Sequence, residues 1–379
     1  MKTSILVTAL LIFHLGYGQA KPKLTDDQKL TKCIAEHTNY FTFSGGSPNG
    51  QGWTILENLF AENQFVAWGE YHNSPELSKL TSYALESASK NGFKPWCIET
   101  SPYVAMELQR ISTGKNPVDS ILSIYKKGLQ PYGSFPFFST KEDALMLATA
   151  GKYHFSIWGI DQEFQMAFPY CIDRIYNAQT PLIRQQFKAV KDSLRARWWN
   201  PDAALLDSFK NAVPQKNYKH ALGDIKVSKE IYQESNAPAR ASLMKKNFYN
   251  YYDHLKSRNE KIFFKMGGNH LARGMNFQTQ LYDIGNAVFE LSQHNTTNFS
   301  NVYCMVRYSM DGDKVIDDIE GDTHEYPTVF SKLYDKEKWV LVDLRSLPKK
   351  LRNDGSITPD TYKVIEKYDF VLISPEILK

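Results

Sequence analysis

Short apolar runs set apart by longer helix-like stretches constrain this chain most. They are FVAW at 65–68, PWCI at 95–98, FSIW at 155–158, KIFFKM at 261–266 and VLVD at 340–343. Runs of this length suit buried strands, and most of the intervals can hold the crossover helices that parallel strands need. The pattern predicts an α/β fold, a mainly parallel sheet flanked by helices. VYCMV at 302–306 and FVLI at 370–373 add strands whose place in the sheet the sequence leaves open. Within about 173–258, Ile183, Phe187, Val190, Leu194 and Trp198 recur at helical spacing, as do Met244, Phe248, Tyr251 and Leu255 behind Pro238. That periodicity predicts a helical cap or insert in the middle of the chain.

A chain of 379 residues, 42% apolar and 13% aromatic, has the material for a large core, and one domain over 20–379 is expected. Its net charge of +4 comes from 45 basic and 41 acidic residues scattered along the chain, which argues against a nucleic-acid groove. Lys2, the apolar run 4–17 and the small residues of GYGQA at 16–20 have the layout of a cleavable signal over 1–19. A soluble, exported protein, periplasmic or secreted, is expected, with no later stretch of membrane length. Cys33, Cys97, Cys171 and Cys304 lack zinc-site spacing; disulfides and free thiols are both open, and Cys97, inside an apolar run, reads as a buried thiol.

The ends of the apolar runs carry the chemistry. Gly69 follows the first run, Glu70 and His72 come next, and Ser74-Pro75 then gives an N-cap with proline at the first helical position. The second strand ends on Glu99, again ahead of a Ser-Pro pair, the third ends on Asp161, and the fourth ends on His270 after two glycines. Any one of these is ordinarily a cap, a salt-bridge residue or a turn. Four polar termini on apolar strands are costly to bury unless they share a purpose, and open α/β sheets bind ligands at such strand ends. Neighbouring strands would make the four groups converge.

These residues also carry a resemblance. GEYH at 69–72, Ile98-Glu99, Gly159-Ile160-Asp161, RASLMKKN at 240–247 and GGNH at 267–270 are similar, in order, to motifs of the erythromycin esterase-like family. That family belongs to a superfamily with ChaN-like haem-uptake and Tiki/TraB proteins. The resemblance covers about residues 60–280. Ala241 stands where the esterase pattern has Asp, and Glu70 and His72 are one residue closer than its usual spacing, as in the ChaN form. Membership implies hydrolysis of an ester or amide bond in a small-molecule substrate, with no cofactor required. His72 would be the general base and Glu70 or Glu99 would hold its tautomer. His270 and Arg240 would face the developing oxyanion, and Asp161 would orient one of them. Two alternatives follow from the same resemblance. His72, Glu99 and His270 would hold a divalent metal in a Tiki-like peptidase, and a ChaN-like protein would bind haem without turnover. Substrate identity and oligomeric state are not written in these motifs.

Overall fold

The computed structural model describes residues 26–129, 133–312, 314–318, 326–345, 347 and 358–375. The expected signal segment 1–19 lies outside the described residues. Among the described residues eleven strands follow in chain order: β1 (Thr38–Ser44), β2 (Ser47–Asn49), β3 (Phe65–Glu70), β4 (Pro95–Ile98), β5 (Ser156–Gly159), β6 (Ile262–Gly267), β7 (Phe299–Met305), β8 (Tyr308–Asp311), β9 (Lys314–Asp317), β10 (Trp339–Asp343) and β11 (Phe370–Ile373). Nine of them form one sheet in the order β2-β1-β10-β11-β7-β3-β6-β4-β5, and β8 pairs with β9 in a separate hairpin.

The stretch from β11 to β5 is parallel throughout, as the alternation of runs and helices requires. β10, β1 and β2 add an antiparallel edge. Every residue of β3, β4 and β6 is buried, which explains why these strands read as continuous apolar runs without alternation. Helices cover both faces. Leu77, Leu80, Ala84 and Leu85 of the helix Pro75–Lys90 pack on one side with Trp68 and Phe263, and Met244 and Phe248 pack on the other with Ala67 and Phe264.

The middle of the chain is helical, as its periodicity predicts: Phe168–Asn177, Pro181–Ala196, Ala203–Ala212, Lys216–Glu234 and Ala237–Tyr252 follow one another. Two members of the periodic sets fall outside their helices. Trp198 lies in the turn after Ala196, and Leu255 lies beyond Tyr252. Cys33, Cys97, Cys171 and Cys304 are all free and buried, so the disulfide alternative is not realised. Among the described residues no helix is long and apolar enough to cross a membrane.

Candidate functional site

β3, β6, β4 and β5 are consecutive in the sheet, so the four polar strand ends meet along its carboxyl edge. Glu70 is the last residue of β3 itself, and His72 lies in the loop beyond it. The loop turns into its helix as the Ser-Pro signature predicts: the Ser74 hydroxyl accepts from the Leu77 amide at 3.3 Å. The same device recurs after β4, where Ser101 accepts from Val104 at 3.0 Å. Three expected strand ends need correction. β4 stops at Ile98, one residue short of Glu99, β5 stops at Gly159, two residues short of Asp161, and β6 stops at Gly267, with His270 in the one-turn helix Gly268–Leu271.

All six candidate residues come together. His72 Nδ1 lies 3.1 Å from Glu70 Oε1, and its Nε2 faces Glu99 Oε2 at 3.5 Å. Glu99 accepts from the Gly267 amide at 2.7 Å and from Arg240 Nη2 at 2.8 Å, with His270 Nε2 at 3.4 Å. Arg240 also donates to both Asp161 oxygens, from Nε at 2.9 Å and from Nη2 at 2.6 Å. The helix that carries Arg240 is fixed at two further points of its motif: Met244 is buried in the core, and Asn247 donates to the Ile160 carbonyl at 3.0 Å. Two glycines permit this crowding. A Cβ on Gly267 would stand 3.0 Å from His72 Nε2 and 3.1 Å from Glu99 Oε2, and one on Gly69 would meet Gly268 Cα at 2.9 Å.

Three contributors were not legible as site residues. Lys265, inside β6, is buried and pairs with Glu70 Oε2. Asp283 caps the helix Ile284–His294 through Oδ1 while Oδ2 lies 2.7 Å from His270 Nδ1. Phe137 stacks on the His72 ring, centroids 3.9 Å apart, from a backbone with φ of 65° that bulky residues rarely adopt. The only sequence signal among them is Lys265, a lone charge in an apolar strand.

The electrostatics follow from this pairing. Burial pushes the Glu70 carboxyl up, but the Lys265 charge and His72 outweigh it and hold the group below its ordinary value. Burial opposes ionisation of Glu99 too, yet His270, His72 and Arg240 hold it well below the usual carboxylate range. Burial alone would push the His270 imidazole down; Glu99 and Asp283 instead push it up to about 10, so it carries a proton at neutral pH. The sign of the linkage is then fixed. A raised folded-state value stabilises the fold fully below about 6.5 and loses that contribution as pH rises through about 10. Urea midpoints measured across this alkaline window are expected to fall, and Asp283→Asn is expected to flatten the decline.

The cluster floors a cavity of about 670 Å³. Tyr71, Phe277, Tyr303 and Tyr326 supply aromatic wall, and Ser309, Met310, Ile316 and Asp318 come from the β8–β9 hairpin and the residue after it. The hairpin is tied to the His72 loop, where the Met310 amide donates to the Asn73 carbonyl at 3.0 Å. His72, Glu99 and His270 converge as the metal alternative requires, but their donors do not fit a dication in this arrangement. Glu99 is engaged by a guanidinium and a backbone amide, and among the described residues no group of three or more His, Cys, Asp or Glu is arranged to hold a metal ion.

Solved structures share this fold. An erythromycin esterase in its open conformation aligns with a TM-score of 0.58 at 12% identity, over 89% of this chain and 97% of that one. A succinoglycan biosynthesis protein aligns with 0.57 at 13% identity, over 92% and 97% of the two chains. A protein from Bacillus cereus aligns with 0.53 at 15% identity over the same shares. No protein-family model matches the chain, and no curated protein matches it in sequence.

Proposed function

We propose that this chain, which has the fold of an erythromycin esterase, is an exported hydrolase that cleaves an ester or amide bond of a small molecule with water activated by His72. The observation that carries the reading is the arrangement around Glu99. An imidazole with its side chain 30% exposed stands on one side of it, and Arg240 and the protonated His270 stand on the other. Glu70 accepts from Nδ1 of His72 and so directs the Nε2 lone pair towards the cavity. Water held there gives its proton to Nε2 as its oxygen adds to the carbonyl carbon. Negative charge gathers on the carbonyl oxygen, where Arg240 and His270 offer fixed positive charge that needs little reorganisation. Collapse of the adduct expels the alcohol or amine, and His72 returns the proton to it. Asp161 and Asp283 act through Arg240 and His270 as positioning residues. The apolar run 4–17 supports export.

The test is turnover of a panel of simple aryl and alkyl esters by the mature protein, before and after exhaustive chelation. Activity that survives chelation is the expected result. Activity lost on chelation and restored by a divalent ion would replace this reading with the metal-dependent peptidase. No turnover, together with a Soret band after incubation with haem, would replace it with haem binding.

A further inference from the structure

A second cavity, of about 430 Å³, is lined in part by the same His72 loop. His72, Asn73, Met310 and Asp311 line both cavities, so the two are compartments of one cleft that meet at the imidazole. The compartments differ in chemistry. The first holds the charged cluster, with Asn269, Gln278 and Lys363 further out. The second is walled by Tyr125, Phe137, Phe164, Met166, Trp198 and Tyr232, and among the described residues its only acidic side chain, Asp311, stands at the shared border.

Phe137 is the dividing element. A bulky residue at positive φ is held there against an intrinsic cost, and what the strained backbone achieves is a ring laid flat on His72. That ring covers one face of the imidazole and also lines the aromatic compartment. Trp198 also fits this role: it follows the helical repeat of 183–194 but lies past the helix end, half-buried, on the cavity wall.

We infer that the aromatic compartment is a specificity subsite, and that the substrate is an uncharged ester carrying a fused or extended ring system on one flank of the scissile bond. This inference rests on the hydrolytic reading of His72. A cavity of about 150 Å³ is enough to hold benzene, so the observed volume admits a two-ring group with space to spare. Among the described residues the wall offers rings and two thioethers, Met166 and Met310, and its one carboxylate, Asp311, stands at the border with the first compartment. The polar flank of the same substrate lies in the first compartment.

Two readouts separate the subsite from the chemistry. The first is calorimetric binding of naphthylethanol to the intact protein, which needs no turnover. The second is the ratio of kcat/KM for naphthylethyl acetate to that for ethyl acetate, whose alcohols are alike as leaving groups. Naphthylethanol is expected to bind at one site, to lose about tenfold in affinity in Trp198→Ala and in Phe164→Ala, and to be retained in Trp198→Phe. The ester preference is expected to fall by a similar factor in the two alanine variants. Equal binding by the wild type and both alanine variants, or no binding to the wild type, would overturn the subsite even if the esters are hydrolysed. Binding that depends on Trp198 without hydrolysis of either ester would keep the subsite and remove the hydrolase.

Discussion

Lys265→Met is expected to destabilise the fold by about 3–5 kcal/mol, the cost of removing one member of a buried ion pair and leaving the other uncompensated. The Lys265 side chain is 5% exposed and that of Glu70 4%, so solvent does little to replace the lost charge. With Lys265 gone, burial would dominate at Glu70, and the carboxyl would take up a proton at higher pH than in the wild type. A protonated Glu70 accepts more weakly from His72 Nδ1, so the imidazole loses its orientation as well. Denaturant unfolding measures the first effect. The second is read from turnover of whatever variant remains folded, and Lys265→Arg, which keeps the charge, is expected to recover part of both. A Lys265→Met protein as stable as the wild type would show that the ion pair is incidental.

Arg240→Met is the second large effect. The guanidinium joins Asp161 and Glu99, two buried carboxylates just beyond the ends of the neighbouring strands β5 and β4, and it ties the helix Ala237–Tyr252 to the strand ends. Because its side chain is 30% exposed, the stability loss is expected at the lower end of the buried-pair range, about 3 kcal/mol. Turnover is expected to fall further than stability explains, by about 10²–10³, since the oxyanion loses a preorganised cation. The comparison that matters is activity at a temperature where both proteins are fully folded. Loss of stability alone would make Arg240 a packing element between helix and sheet.

The parallel sheet was legible because its strands are buried on both faces and so appear as uninterrupted apolar runs. The site was legible where it uses one local pattern four times: a strand, then a polar group, then in two cases a Ser-Pro start to a helix. Glu70, Glu99, Asp161 and His270 stand out for that reason, and the adjacency of β3, β6, β4 and β5 turns the pattern into a cluster. The antiparallel edge was not legible. β1 pairs with β10, Thr38 opposite Val342, and no local feature of either segment specifies so distant a neighbour. Lys265 was hidden by its context, because a lysine in KIFFKM reads equally as a strand residue reaching solvent. Asp283 reads as a helix cap, which it is, and its second oxygen turns to His270 only through the tertiary fold. Phe137 lies outside any periodic segment, and its positive φ is a conformation that the surrounding structure imposes on it.

The most direct measurement of the central claim is the hydrolysis rate of one simple ester, phenyl acetate, by the wild type and by His72→Ala at equal concentration, with melting temperatures recorded for both. His72 is partly exposed in a loop outside the core, so the melting temperature is expected to change little while turnover falls by about 10²–10⁴, the span of general acid–base catalysis. Equal rates from the two proteins, or a loss of activity that merely follows unfolding of the variant, would contradict a role for His72 as the base.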